Sequence, residues 1–536
     1  MAKEQKTMTE TLQEEVRSKW NGTSARLAAV LAVLVMVGLP LVFQDFYFNI
    51  LQVKYWYYCG VVIAVAVIYV ICTLIFWNKD RKWCDGALFK DWKQHFSLKS
   101  FNAAEWAMLA FFLASAISTL QSEYVYESFW GNEGRFVGLF MIMLYTISFF
   151  IITKKLKFKK RYLDIFLAAG MIVCLIGILH YFNIDPIGFK KDLNYLDYVD
   201  FTSTIGNVNT YTSYVALVVG VSTVLFTVAT DRKQKIWYTA CMVISLFALI
   251  TGLSDNSYLT LLAIFGLLPF ILFNSVKGVR NYVFILAVVC TEFLIIGFVV
   301  DNYSDQVLPF YGLFNVISGF KYLPALTVLL WILGIGLYAA ERSILKNAKE
   351  SNLGRWIWLA VVIVVLLGLG KVLYDVNIAG NVEKYGSLRK YLLFDDDWGT
   401  HRGYIWHLAM RIYQKFPIMH KLFGYGPDTF GIITVRGYFD EMVGRYNEKF
   451  DSVHNEYLQY LVTIGIVGMI AYISVIVTSV VRIVRKGKEN PVILSVAMAV
   501  ICYAAQAVVN ISVPIVAPVM FTLMAVGLAA CRDENA

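Results

Sequence analysis

The sequence predicts an all-α, polytopic membrane protein with about 14 transmembrane helices and one large extracytoplasmic loop that contains amphipathic helices. Three observations predict this class: 58% of the 536 residues are hydrophobic, only 16% are charged, and the mean hydropathy is +0.61. A soluble domain averages about 45–50% apolar and about 25% charged residues. The composition therefore excludes an ordinary soluble enzyme and an intrinsically disordered chain.

Fourteen segments are long and apolar enough to be candidate spans, since a span needs about 20 mostly apolar residues. Their predicted limits are 26–45, 55–77, 101–120, 136–153, 162–183, 207–230, 236–254, 257–275, 281–300, 323–340, 356–374, 454–481, 491–510 and 514–531. The chain is thus divided into membrane helices 1–11 (residues 1–374), an extracytoplasmic catalytic loop (375–453) and membrane helices 12–14 (454–536).

The basic residues orient these spans. With the N-terminus inside, 31 of the 47 Lys and Arg residues fall in inside segments and ten in the long outer loop. This bias follows the positive-inside rule, so the net charge of +9 reflects orientation and not a nucleic-acid partner. Both termini are predicted to lie inside, and the basic segments 79–99 and 154–161 to contact membrane lipid. The eight cysteines show no CxxC or Cys/His spacing, so no metal or other cofactor is predicted.

The long outer loop concentrates polar chemistry. Four of the six histidines lie in it or at its end: His401, His407, His420 and His454. Apolar residues recur at helical spacing, which predicts an amphipathic helix near the membrane surface: Ile405, Leu408, Ile412 and Phe416. Long loops without a function are uncommon, so this loop is the predicted site.

The end of the loop carries the motif with the clearest chemistry. Ser452 is a predicted N-cap, which would place His454 and Asn455 in the first turn of the twelfth span. A helix N-terminus favours anions such as phosphate and disfavours imidazolium. His454 is therefore expected to be neutral and suited to act as a general base. Gly465 and Gly468 would lie on one face and allow close helix packing.

Several motifs resemble those of the O-antigen ligase and polymerase family of membrane glycosyltransferases. The elements that carry the resemblance are His454-Asn455-x-Tyr457-Leu458 with Gly465-x-x-Gly468, Arg402-x3-Trp406 with Pro417 and Leu422-Phe-Gly-Tyr-Gly-Pro427, Thr204-Ile-Gly-Asn207-Val-Asn209, and Trp130-Gly-Asn-Glu-Gly-Arg135-Phe-Val-Gly138. The best matches cover about 400–480, and the weaker ones extend the resemblance to most of the chain in the right order.

The resemblance implies a GT-C-like enzyme that moves a glycan from undecaprenyl pyrophosphate to a glycan or lipid acceptor, with inversion and without metal. It implies that His454 is the general base and that Arg402 is the catalytic cation for the leaving pyrophosphate. Six more residues are candidates for substrate binding: Arg135, Asn455, Asn207, Asn209, Trp406 and Tyr457. Shaping of the helix entry is the alternative role for the pair Asn207 and Asn209.

Two acidic residues lie at unusual positions: Asp255 where the resembling family carries an arginine, and Glu292 inside a predicted membrane span. Many members of the family carry Ser-Arg-Gly after the seventh span, where this sequence reads Ser254-Asp255-Asn256. Either Arg135 or the pair Lys190 and Lys191 replaces the missing arginine, or the donor is held differently. Glu292 lies in the middle of the ninth span, too deep for an outer-face reaction, and is assigned to packing or an internal hydrogen bond.

Three classes of function compete. The first is a glycosyltransferase in the cytoplasmic membrane of a bacterium, with its active site outside, acting as a ligase or a polymerase in polysaccharide assembly. The alternative is a polysaccharide flippase or transporter, which should show paired halves and charges along a path. A receptor or scaffold built around the outer loop is the third, but it does not explain the His-Asn helix start.

Overall fold

The computed structural model describes residues 2–83, 90, 93, 97–132 and 134–533. Its first half contains helices α1 (Ala2–Val33), α2 (Leu39–Leu41), α3 (Ile50–Trp83), α4 (Ala103–Gln121), α5 (Val125–Trp130), α6 (Leu139–Lys155), α7 (Arg161–Tyr181), α8 (Tyr195–Asp200), α9 (Val208–Val228) and α10 (Arg232–Ile250). A π-helical turn, Leu34–Gly38, joins α1 to α2. A two-stranded antiparallel hairpin, β1 (Phe201–Thr202) and β2 (Gly206–Asn207), leads into α9.

The second half is also helical. It contains α11 (Ser257–Leu272), α12 (Val276–Asn302), α13 (Leu313–Ser318), α14 (Leu323–Arg342), α15 (Leu353–Asn377), α16 (Arg389–Leu392), α17 (Trp398–Lys415), α18 (Ile418–Phe423), α19 (Phe430–Tyr446), α20 (Glu456–Lys486), α21 (Leu494–Gln506) and α22 (Ala517–Asp533). Short 3₁₀ turns occur at Leu98–Ser100, Ser304–Gln306, Val382–Leu388 and Pro491–Ile493.

A helix lies at each of the fourteen predicted spans. Among the described residues, nine helices are long and apolar enough to cross a membrane by length and composition. Three further apolar helices are shorter: Ser257–Leu272, Pro491–Gln506 and Ala517–Arg532. The helical, polytopic class is confirmed, whereas the number of 14 spans and the division into two membrane parts and an outer loop remain predictions. Much of the basic segment 79–99 and Glu133 of the motif at 130–138 lie outside the described residues.

The core is centred on α9, which is buried along nearly its whole length and packs against α10 and α21. Gly220 permits the contact with α21, since a Cβ there would lie 2.5 Å from the Cα of Ala499. At the periphery, α14 and α15 expose apolar side chains over most of their surface. Such all-round apolar exposure is typical of helices that face lipid.

Helix α20 is broken at Gly465, whose φ of 72° and ψ of −179° are not helical. The break leaves two carbonyls free to accept from another segment: Tyr425 N–H donates to Val462 O at 3.2 Å and Gly426 N–H to Thr463 O at 2.9 Å. The prediction that Gly465 allows close helix packing is confirmed, since a Cβ there would lie 2.3 Å from Leu422 O of α18. The prediction that it shares one helical face with Gly468 is wrong, because Gly465 breaks the helix in a backbone conformation that other residues rarely adopt.

The predicted amphipathic helix is confirmed as α17, but its apolar face is not directed at a membrane surface. Ile405, Leu408 and Ile412 are almost fully buried, together with Phe416. They pack in a second core with residues of α19, of the chain before α20 and of α20 itself: Phe430, Met442, Phe450, Val453 and Val462. The segment between α15 and α20 thus has its own apolar core, which explains why α17 needs no lipid.

Candidate active site

His454 lies immediately before α20, not inside its first turn. Asn455 is the N-cap, and its Oδ1 accepts from Tyr457 N–H at 3.1 Å and Leu458 N–H at 3.0 Å. The prediction of Ser452 as N-cap is therefore wrong; its Oγ accepts from His454 N–H at 3.4 Å instead. His454 has a φ of 51°, and this left-handed turn brings the chain into the helix later than expected.

A cavity of about 850 Å³ brings together residues from five separate parts of the chain. His454, Arg135, Asn207 and Asn209 all line it. Further walls are formed by Asn510 and by the aromatic residues Tyr47, Phe48, Trp56, Phe136 and Phe201. A cavity of this size with a few convergent polar groups and aromatic walls is typical of ligand sites.

The electrostatic environment keeps His454 neutral. Burial, as the largest cause, and the charges of Arg402 and Arg135 together lower its pKa to about 4, while the charge of Asp451 opposes them. Near pH 7 the imidazole is therefore uncharged and free to accept a proton. The prediction of a neutral His454 agrees with this, although the two arginines contribute and not only the helix end.

Arg402 is held next to an unusual backbone. Gly399, Thr400 and His401 all have positive φ (63°, 57° and 66°), and Arg402 Nη1 donates to Gly399 O at 2.9 Å. Such conformations cost energy in non-glycine residues and are concentrated at functional sites. Among the described residues, the buried Nε of Arg402 has no hydrogen-bond partner. Its charge acts on both His454 and Asp255, although the side chain is not part of the cavity wall.

Arg135 reaches the cavity from the loop between α5 and α6. Its Nη2 contacts Asp451 Oδ1 at 2.8 Å, and within the described chain its buried Nε also lacks a partner. The loop is fixed by Asp428, whose Oδ2 accepts from Asn132 N–H at 2.7 Å and Val137 N–H at 3.1 Å. Burial raises the pKa of Asp428 to about 7. Sequence reasoning missed Asp428, although it follows directly after the Gly-Tyr-Gly-Pro motif.

The two asparagines of the third motif shape the entry to α9 and also reach the cavity. Asn207 Oδ1 accepts from Asn209 N–H at 2.9 Å. Asn209 Oδ1 accepts from Ser254 Oγ at 2.6 Å and Asn256 Nδ2 at 3.2 Å, which ties the motif to the turn around Asp255.

The other three predicted binding residues make contacts within the protein. Trp406 Nε1 donates to Val453 O at 3.1 Å, and the Tyr457 hydroxyl donates to Ala504 O at 2.8 Å. Asn455 is used as the N-cap. Trp406, Tyr457 and Asn455 therefore fix the chain on both sides of His454.

Two further candidates from the sequence lie away from the cavity. Lys190 Nζ donates to Tyr198 O at 2.8 Å, so it is committed to its own loop, and it does not line the cavity. Glu292 is buried, and neither of its carboxyl oxygens has a hydrogen-bond partner among the described residues. Of the two roles assigned to Glu292, packing and an internal hydrogen bond, the structure therefore agrees with packing. In the part of the chain that the structure describes, no group of three or more His, Cys, Asp or Glu side chains could hold a metal ion.

Part of the chain matches a known protein family: the family model described as O-Antigen ligase matches residues 311–473. The match runs from just before α13 into α20, so it includes Arg402, Trp406 and His454, while Arg135 and the Asn207 motif lie before it. No curated protein matches the chain.

Proposed function

We propose that this chain, whose residues 311–473 match the family model described as O-Antigen ligase, is a glycosyltransferase of polysaccharide assembly in a bacterial cytoplasmic membrane. It transfers a glycan from undecaprenyl pyrophosphate to an acceptor hydroxyl at the outer face, as a ligase or a polymerase. The single observation that carries this proposal is that His454 lines one cavity with Arg135 and has a pKa lowered by burial and by the charge of Arg402, which keeps its imidazole neutral.

The proton chemistry follows from the state of His454. An acceptor hydroxyl must lose its proton as its oxygen bonds to the anomeric carbon, and a neutral imidazole can take that proton. The bond from the anomeric carbon to the pyrophosphate oxygen breaks, and its electron pair leaves with the lipid pyrophosphate. A single displacement from the opposite face inverts the anomeric carbon.

The leaving group needs fixed positive charge, because negative charge develops on the pyrophosphate as the bond breaks. Arg135 and Arg402 supply it. Arg135 lines the cavity and keeps an Nε–H without a partner among the described residues, so it has a donor to offer to a phosphate oxygen, whereas Arg402, which lies outside the cavity wall, acts through its charge. Guanidinium suits phosphate better than ammonium does because its donors are planar and fixed.

Donor binding and proton abstraction are coupled in this arrangement. In the free protein the two arginines hold down the pKa of His454 and so weaken it as a base. A pyrophosphate anion next to them would cancel much of their field and raise the pKa of His454. The base would therefore become strong only when the donor is in place, which disfavours unproductive proton uptake.

The direct test uses the full-length purified protein in lipid nanodiscs, with undecaprenyl pyrophosphate-linked glycan and an acceptor in the presence of EDTA. We expect a new glycosidic bond with inverted configuration, detected by mass spectrometry and NMR, and release of the lipid pyrophosphate. Movement of the intact lipid-linked glycan across a bilayer, with no change in covalent linkage, would contradict the proposal. Acceptors of the two kinds, lipid core or a second lipid-linked repeat, separate ligase from polymerase.

A further inference from the structure

Asp255 lies where three separate parts of the chain meet. It lies in the turn between α10 and α11, and its Oδ1 accepts from Leu313 N–H, at the start of α13, at 3.1 Å. Its Oδ2 accepts from the Tyr391 hydroxyl of α16 at 3.4 Å. Gly312 has a φ of 76° and approaches so closely that a Cβ there would lie 2.4 Å from Oδ2. Asp255 is exposed, but its carboxylate lies directly against the backbone of Gly312 and Leu313, which leaves no room for a side chain at position 312.

A continuous series of contacts runs from Asp255 to the residue before His454. Trp398 Nε1 donates to Tyr391 O at 3.1 Å. The rings of Trp398 and Trp406 lie 5.2 Å apart, and Trp406 donates to Val453 O. Arg402 lies between these two tryptophans in sequence, directly after the three residues with positive φ. Asp255 thus contacts one end of this series, at Tyr391, and Arg402 lies on the segment that the series fixes.

Charge gives a second, separate link. Arg402 is partly buried and pairs with no carboxylate within hydrogen-bonding distance among the described residues. A cation that loses water is costly unless an opposite charge is near. The charge of Asp255 acts on Arg402 and favours its charged form.

We propose that Asp255 is a positioning residue that fixes the 389–402 segment and holds the charged Arg402 next to His454. The inference rests on the proposed function, because it concerns the cation offered to the departing pyrophosphate.

The test is a double-mutant cycle on the full-length protein with Asp255→Asn, Arg402→Ala and the double variant. The readouts are the Kd for farnesyl pyrophosphate, a lipid pyrophosphate probe, and kcat/KM for glycan transfer. If Asp255 acts through Arg402, Asp255→Asn weakens probe binding and lowers kcat/KM by about tenfold when Arg402 is present. In the Arg402→Ala background the same change has less than about a twofold effect.

The matched control is Asp231→Asn, at the opposite end of α10, where the carboxylate also accepts a backbone N–H, from Gln234 at 3.0 Å. It should behave as wild type. Equal losses from Asp255→Asn in both backgrounds, or tighter probe binding, would overturn the inference. If Asp255→Asn does not fold, Tyr391→Phe replaces it, since this variant removes only one contact to the carboxylate.

The two proposals fail in different ways. A wild type that binds the probe with coupled Asp255 and Arg402 but never transfers glycan would contradict the proposed function alone. A wild type that transfers glycan without this coupling would contradict the role of Asp255 alone.

Discussion

The indole N–H of Trp406 donates to the carbonyl of Val453 across 3.1 Å, one residue before His454. This bond joins α17, which carries Arg402, to the short extended chain that carries the histidine. Two elements that approach the cavity from different directions are thereby held in register. We predict that Trp406→Phe, which keeps the ring but loses the donor, lowers kcat about tenfold with little change in KM. Steady-state kinetics of both variants check this prediction. The control is Trp358→Phe, which removes an equivalent indole hydrogen bond, from Trp358 in α15 to the carbonyl of Gly266 in α11.

Removal of the imidazole should stop proton abstraction. His454→Ala is expected to lower kcat by about 10²–10⁴-fold, the usual contribution of a general base. The measurement is product formation under donor and acceptor saturation. His407→Ala is the control, because His407 lies on α17, is largely exposed and pairs with Asp396 at 2.8 Å. Transfer by His454→Ala at the wild-type rate would eliminate His454 as the base.

The pH dependence should reveal the field of Arg402. The active form of His454 is neutral, so activity is lost as the pH falls through its pKa of about 4. Arg402→Gln removes a positive charge that lowers this pKa, so the acid limb of kcat/KM should move to higher pH. The profile of kcat/KM is measured from about pH 3 to 8.5, so that it includes the wild-type acid limb, and each variant's values are divided by its own maximum.

The control for this profile is Arg411→Gln, which removes another arginine of α17, paired with Glu441 at 2.7 Å. Its acid limb should stay with that of the wild type. An unshifted acid limb in Arg402→Gln would show that the guanidinium does not act on the base.

The break in α20 predicts a stability effect. Gly465→Ala places a Cβ 2.3 Å from the carbonyl oxygen of Leu422 and forces a positive φ on alanine. We expect a loss of about 1–3 kcal/mol in the free energy of unfolding, measured as a lower Tm in detergent. Gly336→Ala, in α14 with open space around the added methyl, should be neutral or slightly stabilising. Equal Tm values for the two variants would argue against a strained break.

Local patterns in the sequence predicted the helices because a long apolar run specifies helix wherever it lies. They could not predict the break at Gly465, since its partner, the turn at 424–426, is about 40 residues away in sequence. For the same reason the face of α17 was recognised as apolar while its true partners, Phe430 and Val453, were not.

In the site too, the sequence predicted features that depend on local motifs and missed those that depend on contacts between distant segments. His454 and Arg135 could be singled out from their motifs, and the structure places both on one cavity. Asn455 and Ser452 are both good capping residues, so the choice between them depended on the left-handed turn at His454. The contacts of Asp255 join segments more than 50 residues apart, and no local pattern encodes them.

The break at Gly465 also fixes a depth. From residue 466 to Val481, before the basic end that begins at Arg482, α20 has 16 residues, which at about 1.5 Å per residue is roughly 24 Å. This length is shorter than a hydrocarbon core of about 30 Å. Under the proposed function, the turns of α20 before the break complete the crossing, and His454 in front of them lies close to the edge of the hydrocarbon, where the pyrophosphate of a lipid-linked donor would be held.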